Sequence, residues 1–501
     1  MKRLSILAAI LLGVHTAQAA SAADRPNVLF ALADDWSWPH ASAYGTAEVE
    51  TPNFDRMARE GILLNNVFTA APQCSPNRAA TLTGRHIWQI EEAGTHASNF
   101  PNHYQVFTGL LDAAGYHVGF TGKGWSPGNW EAGGWPHNPA GREYNQLKHR
   151  DRPAKGINDN DYSGNFAAFM EDRPEGAPFF FWFGCKEPHR SYEKGSGIRA
   201  GKNPDNVKVP AYLPDTPEIR SDILDYYLEV EWFDTQLGRM IEQIKAAGEW
   251  DNTIVVVSAD NGMPFPRAKA NLYDDGVRVP MAIRWPGHVR AGQESDMLLS
   301  FVDLGPTFLA AAGLPAPEAM TGRNLMPRLG GAKIADRPYV LTGRERHTHA
   351  RYDNWGYPAR AIRTPEYLYI RNFKPDRWPA GQPEGYEDID DCPTLTFMQE
   401  NADKYPELWQ ASVGKRPAVE LFHIPSDPGC LKNLATSENH AETRARLSAQ
   451  LDNLLTKQGD PRMHGRGDIF ESYPRYSGMR PHLGGFAEQG EYNPAYVPEE
   501  E

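Results

Sequence analysis

The sequence predicts an α/β protein: a large, mainly parallel, doubly wound sheet flanked by helices, followed by a smaller C-terminal α+β subdomain. Three features predict it. Short, unbroken apolar runs at residues 27–33 (NVLFALA), 178–184 (PFFFWFG) and 253–258 (TIVVVS) read as strands buried on both faces. Helical patterns lie between them, which is the order of a parallel sheet with crossover helices. After about residue 336 the pattern changes to the alternation of antiparallel strands.

The elements follow in order along the chain. The strand at 27–33 ends in Asp34-Asp35. Residues 51–60 (TPNFDRMARE) combine an N-cap threonine, a proline at the first helical position and Phe54 and Met57 three apart, so they read as a short helix stopped by Gly61. Residues 62–68 (ILLNNVF) are the next strand. Ser75 reads as an N-cap and Pro76 as the first residue of a helix that runs towards Gly84. A helix at 107–114 is closed by Gly115, and a strand at 116–121 leads into Gly122-Lys123. Residues 124–165 are rich in Gly, Pro, Asn and Trp and read as one long loop, a feature that in compact domains is usually functional. The strand at 178–184 is followed by Glu187-Pro188-His189. Residues 218–247 place Ile223, Tyr227, Val230, Phe233, Leu237, Met240 and Ile244 on one face of a long helix, and that face packs in the core. The strand at 253–258 leads into Ala259-Asp260-Asn261-Gly262. Beyond it, strands are expected at 359–363, 367–373 and 419–424 and a helix at 438–457, with 374–416 as loop or insertion. This gives a main domain over 24–336, the α+β subdomain over 337–460 and an irregular tail over 461–501.

A chain of 501 residues can bury a sizeable core without disulfides or a structural metal. Its net charge of −13 argues against a nucleic-acid binder and against a broad basic surface, so an anionic substrate would have to meet a local cationic pocket. Residues 1–19 have Lys2 and Arg3, an apolar run over 4–14 and the small-x-small site Ala17-Gln18-Ala19. That is the pattern of a secretory signal peptide, too short to span a bilayer, and it predicts a periplasmic or secreted protein without a membrane anchor. Among the four cysteines, Cys392 and Cys430 could pair in an exported protein, Cys185 reads as a buried strand residue, and Cys74 stands alone beside Arg78.

Ligands of open α/β sheets bind beyond the C-terminal ends of the parallel strands. Here those ends carry Asp34-Asp35, Lys123, His189 and Asp260-Asn261. Each is ordinary alone: an acidic pair or Asp-Asn-Gly makes turns, and a lone cation makes surface ion pairs. Together they offer an all-oxygen ligand set suited to a hard divalent ion, Ca²⁺ above all, where zinc would want His or Cys. Arg78, Lys123, His189 and Lys269 would surround that ion with positive charge and proton donors, as a tetrahedral oxyanion requires.

Cys74-Ser75-Pro76-Asn77-Arg78, continued by AATLTGR, resembles the Cys-x-Pro-x-Arg signature of the type I, formylglycine-dependent sulfatases. RPNVLFALADDW, TPNFDRMAREGILLNNVFT, SADNG, GVRVPMAIRWPG and ELFHIPSDPGCLKNLA resemble further segments of that family, so the likeness covers nearly all of the chain after the signal peptide. DNGMPFP, NLY and KEPHR are most similar to the heparan N-sulfatase (sulfamidase) group. The resemblance implies an alkaline phosphatase-like fold and a maturation partner, a formylglycine-generating or anaerobic sulfatase-maturating enzyme, that oxidises Cys74 to formylglycine. It implies that Asp34, Asp35, Asp260, Asn261 and residue 74 bind one Ca²⁺. It further implies that Arg78 and Lys123 stabilise the aldehyde hydrate, and that His189 and Lys269 hold the sulfate and protonate the leaving group.

One residue departs from the family pattern. Most sulfatases carry His two residues after the lysine matched by Lys123, and this chain has Trp125 there, which leaves the base for sulfate release unassigned. A sulfated oligo- or polysaccharide is the expected substrate. Trp125, Trp130 and Trp135 are candidates for stacking on sugar rings, and Arg344, Arg346, His347 and His349 in GRERHTH for reaching a uronate or a second sulfate. Cleavage of N-sulfate and of O-sulfate both stay open. Three other classes carry distinct expectations. A thiol enzyme would keep Cys74 as a thiolate beside a base, a phosphohydrolase of the same fold would use Ser or Thr with His-rich zinc ligands, and a non-catalytic sulfoglycan binder would leave Cys74 unconverted.

Overall fold

The computed structural model describes residues 25–485 and 489–496; the expected signal peptide over 1–19 lies outside them. Its centre is an eight-stranded sheet formed by β1 (Asn27–Ala33), β2 (Ile62–Phe68), β3 (His117–Gly122), β4 (Arg142–Glu143), β5 (Phe179–Gly184), β6 (Thr253–Ala259), β7 (Arg278–Arg284) and β8 (Gln293–Ser300). The strand order is β4-β3-β5-β1-β6-β7-β2-β8. All neighbours are parallel except those of β7, which runs against both β6 and β2.

Every residue of β1, β5 and β6 is buried, as their unbroken apolar sequences require in a sheet covered on both faces. The registers Gly122↔Gly184, Leu32↔Gly184 and Ala33↔Ala259 bring the C-terminal ends of β3, β5, β1 and β6 level with one another. The glycines there permit close approach: a Cβ on Gly184 would lie 1.9 Å from the Lys123 carbonyl oxygen. The long helix runs over Pro217–Ala246, with Ile223, Tyr227, Val230, Phe233, Leu237, Met240 and Ile244 all buried against the core.

A second, antiparallel sheet has the order β12-β11-β10-β9, from β9 (Val340–Arg344), β10 (Ala359–Arg363), β11 (Tyr367–Asn372) and β12 (Val419–His423). The helix Ala441–Lys457 packs Leu447, Leu451 and Leu455 with Leu341, Ile362, Tyr369 and Leu421 from this sheet. The described residues after 460 form only 3₁₀ turns.

The structure corrects several expectations. The helix that begins near residue 75 is Cys74–Thr83 with Gln73 as its N-cap, so Cys74 is its first residue; the Ser75 hydroxyl instead accepts a hydrogen bond from the Ala97 N–H at 3.1 Å. Residues 124–165 are not all loop, for they hold β4 and the start of a helix, Tyr162–Asp172, capped by Asp161. Residues 374–416 contain the helices Pro393–Glu400 and Pro406–Val413, each opened by a proline. These helices are two turns long, too short for a period to show in the sequence. All four cysteines are unpaired and buried, including Cys392 and Cys430.

Candidate active site

The Cys74–Thr83 helix points its first residue at the level ends of β1 and β6. It is held there by two buried side chains. Asn77 Nδ2 donates to the Asp260 carbonyl at 2.7 Å, and Arg78 Nε donates to Asp260 Oδ2 at 2.7 Å. The other arm of Arg78 donates to the Gly124 carbonyl at 3.0 Å and also reaches the Lys123 carbonyl. Trp125 is fully buried, packs on Phe100 and donates its indole N–H to the Ser75 carbonyl at 3.1 Å. It therefore clamps the helix start and offers no face to a sugar, which corrects the sequence expectation.

Around Cys74 the charges alternate in contact pairs. Lys123 Nζ lies 2.6 Å from Asp34 Oδ2. Lys269 Nζ lies 2.7 Å from Asp35 Oδ2 and 2.9 Å from Asp390 Oδ2. His189 Nε2 lies 3.9 Å from Asp35 Oδ2, and its Nδ1 faces the Arg190 carbonyl at 2.7 Å. Asn261 Nδ2 donates to Asp35 Oδ1 at 2.6 Å, and the Asp35 N–H donates to Asp260 Oδ1 at 3.3 Å. Several backbone angles are left-handed at these positions: φ is 75° at Asp35, 69° at Arg267 and 61° at Ala270. Such angles cost energy in non-glycine residues and concentrate at functional sites.

The electrostatics follow from burial in this cluster. Burial opposes the charge on Asp34, but Lys123, His189, Arg78 and Lys269 outweigh it and hold the carboxyl well below its usual range. Burial and the neighbouring Asp34 charge raise the Asp260 carboxyl. Burial pushes the Cys74 thiol up to about 11, although Lys123 pulls the other way. Burial thus favours the neutral form of an unmodified Cys74, which argues against the thiolate-enzyme reading.

The donor set fits a hard divalent cation. Ligand atoms of Asp34, Cys74 and Asp260 all lie within 4.8 Å of one another. Asp34 Oδ1 and Asn261 Oδ1 are buried and have no hydrogen-bond partner. A buried acceptor without a donor is costly, and a Ca²⁺ ion would satisfy both oxygens at once.

The pocket over this cluster has a volume of about 750 Å³, within the range of small-ligand sites. Asp34, Cys74, Lys123, His189 and Lys269 line it, as do Lys186 of KEPHR and Thr348 of GRERHTH, and so do residues no sequence pattern singled out: His96, Glu143, Asn145, Asn158 and Asp390. Of the GRERHTH side chains, His347 and Thr348 reach the pocket. Arg344 is buried and donates to Asp388 at 2.8 Å, Arg346 donates to the carbonyls of Tyr473 and Pro474, and His349 Nδ1 accepts from the Arg480 N–H at 2.7 Å. These groups brace the C-terminal subdomain, and the expectation that Arg346 and His349 contact substrate is corrected. His347 stacks edge-to-face on His96, whose Nε2 lies 3.5 Å from Cys74 Sγ.

Comparison with known proteins decides the family. Residues 26–314 match the sulfatase family, more than half of the chain. The chain belongs to the sulfatase family. Residues 267–378 also match the family described as N-sulphoglucosamine sulphohydrolase, C-terminal. An ulvan-active sulfatase of Formosa agariphila is 26% identical over 461 residues, covering 87% of this chain and 76% of that protein. The human N-sulphoglucosamine sulphohydrolase is 28% identical over 486 residues, covering 87% of this chain and 91% of its own. A solved structure in complex with its substrate D-glucosamine-2-N,6-O-disulfate superposes with a TM-score of 0.64 at 19% identity, covering 87% of this chain and 98% of that one. The last of these bears on the fold, and it supports the α/β architecture with its two separate sheets.

Proposed function

We propose that this sulfatase is exported and removes sulfate from a sulfated saccharide, using formylglycine made from Cys74 and one Ca²⁺ held by Asp34, Asp35, Asp260, Asn261 and residue 74. The observation that carries this reading is the buried Cys74 at the first turn of its helix, within 4.8 Å of the Asp34 and Asp260 ligand atoms, beside two carboxamide and carboxylate oxygens that lack a donor. When present, the hydrated aldehyde supplies the nucleophilic oxygen and Ca²⁺ stabilises its negative charge.

The chain's own residues supply the rest. Arg78 and Lys123, each paired with a carboxylate, keep positive charge at the helix start, where an oxyanion is already favoured by the unpaired backbone N–H groups. Lys269 is kept protonated by Asp35 and Asp390 despite its burial, so it can bind sulfate oxygens as a fixed cation. His189 uses Nδ1 on a backbone carbonyl, which leaves Nε2 to bind sulfate and to give a proton to the departing oxygen.

The saccharide reading is supported by the substrates named for the relatives and by a pocket much larger than a sulfate ion. A second reading, N-sulfoglucosamine specifically, is favoured by the match over residues 267–378, which includes Lys269. The residue pattern at 1–19 supports export, and no helix among the described residues is long and apolar enough to cross a membrane.

Two measurements test the proposal. Mass spectrometry of the peptide containing residue 74, from protein made in its native host, should show the aldehyde or its hydrate; an intact thiol would overturn the reading. Sulfate release should then be followed on N-sulfoglucosamine, O-sulfated glycosaminoglycan oligosaccharides and ulvan fragments. Release from the first alone selects the sulfamidase reading, and release from the others selects an O-sulfatase.

A further inference from the structure

His96 sits on a connecting segment and carries no sequence signal, yet its ring is buried against the site. Its backbone N–H donates to the Arg346 carbonyl at 3.2 Å. Its ring meets His347 edge-to-face with centroids 4.5 Å apart and planes at 66°. His347 Nδ1 in turn lies 3.3 Å from Asp388, whose other oxygen is gripped by Arg344 and Arg351. This chain of contacts crosses from the C-terminal subdomain to the Cys74 helix and ends with His96 Nε2 at 3.5 Å from Cys74 Sγ.

Four of the neighbouring groups, Lys123, Lys269, Arg78 and Trp125, cannot serve residue 74 as a proton acceptor. Lys123 and Lys269 are ammonium groups paired with carboxylates, and Arg78 is a guanidinium paired with Asp260. The Trp125 indole has only a donor nitrogen, and that donor is spent on the Ser75 carbonyl. Asp34 and Asp260 hold the cation side of the cluster. His96 is the pocket-lining side chain that places a ring nitrogen against the reacting side chain itself.

We propose that His96 is a catalytic residue of the sulfatase reaction, the group that takes the proton from residue 74 in the step that frees sulfate. The proposal rests on the sulfatase reading above. In this step the O–H bond of the hydroxyl that does not carry the sulfate would break, and its proton would go to His96 Nε2. The electron pair left behind becomes the C=O bond of the aldehyde. The bond from that carbon to the sulfate oxygen breaks, and sulfate leaves with its electron pair. His96 then releases the proton to water. His347 and Asp388 act as positioning residues that hold the ring against residue 74.

The test uses full-length, matured, Ca²⁺-loaded enzyme and the variants His96→Ala and His96→Gln, with 4-nitrocatechol sulfate and whichever saccharide the wild type desulfates as probes. Both variants should show wild-type conversion of residue 74 and a wild-type rise in melting temperature with Ca²⁺. Steady-state kcat should fall by about 100-fold or more, in the range lost with a general acid or base. The first turnover should persist: one equivalent of the alcohol or phenol is released in a burst, and the denatured protein becomes heavier by one SO₃. Added imidazole should restore turnover to His96→Ala. Turnover within a few-fold of wild type in either folded variant overturns the proposal. So does a loss of turnover with neither the added mass nor imidazole rescue, which is what a merely structural histidine would give. A wild-type enzyme with converted residue 74 that releases no sulfate from any probe overturns the sulfatase reading itself, and the wild-type arm alone reports that outcome.

Discussion

Arg78 Nε and Asp260 Oδ2 lie 2.7 Å apart with neither side chain exposed, so one ion pair, out of water, ties the Cys74 helix to the end of β6. The pair does two things at once. It fixes residue 74 relative to the carboxylates, and it brings a guanidinium to the helix start, where anions bind. A buried charge is tolerable only when paired, so each partner depends on the other.

Removing the arginine should therefore unfold the site before it tests chemistry. Arg78→Ala strands Asp260 and should lower stability by about 3–5 kcal/mol, the usual cost of breaking a buried pair. Arg78→Lys keeps the charge but loses the fork that reaches the Lys123 and Gly124 carbonyls, and should fall between. Chemical unfolding of the three proteins at pH 7.5 checks this; equal stabilities would show that the pair contributes nothing.

The donorless oxygens of Asp34 and Asn261 predict metal-dependent stability. EGTA should lower the melting temperature, and Ca²⁺ should restore it, with a gain of about 2.7 kcal/mol at 100 times the dissociation constant. Asn261→Ala should reduce that response. Isothermal titration of metal-stripped protein measures it directly, and restoration by Zn²⁺ in preference to Ca²⁺ would contradict the oxygen-ligand argument.

Acid should destabilise the protein well above the carboxylate range. Burial lowers His40 to about 4, and burial with Arg337 and Arg360 lowers His86 to about 3. Both stay neutral in the folded protein, whereas the unfolded chain takes up protons below about 6.5. Their contribution is complete above pH 6.5 and is lost as pH falls towards 4 for His40 and 3 for His86, at about 1.4 kcal/mol per pH unit for each group. Urea unfolding at pH 7.5, 6 and 5 should show this slope, and His86→Gln should flatten it. A stability that stays level from pH 7.5 to 5 would count against it.

Trp125 separates a packing role from sugar stacking. Trp125→Ala should cost about 3–5 kcal/mol through the cavity it leaves, while Trp125→Phe should keep much of the packing and lose only the bond to Ser75. Saccharide KM should stay within a few-fold for Trp125→Phe. A KM that rises for saccharides but not for an aryl sulfate would return the residue to the substrate site.

Asp390 should matter through Lys269. Asp390→Asn removes one of the two carboxylates that hold this lysine protonated. Its kcat/KM should fall by about tenfold, whereas Lys269→Ala should fall further, by about 100-fold. A double variant no worse than Lys269→Ala alone would show that the two act as one unit.

Much of the site was legible because it lies in short signals beside strand ends. NVLFALADD and TIVVVSADN each join an apolar strand to a polar pair and FTGK joins one to a lysine, and parallel pairing brings those strand ends together. Asp390 was illegible, since it precedes a two-turn helix in a segment without a period. Trp125, Arg344, Arg346 and His349 were misread because a sequence states that a residue is aromatic or charged, not which way it faces. Arg346 looks like an anion binder in the sequence and proves to be a brace on two backbone carbonyls.

The sequence by itself determined the fold class, the sulfatase signature around Cys74 and the carboxylate and carboxamide side chains at the ends of β1 and β6, because those depend on local apolar runs and on residues adjacent to them. Only the tertiary structure decided what surrounds Cys74. His96 and His347 lie 251 residues apart along the chain, yet their rings touch beside Cys74. That contact exists because the C-terminal subdomain docks on the edge of the main sheet, and no local pattern encodes a docking between distant segments.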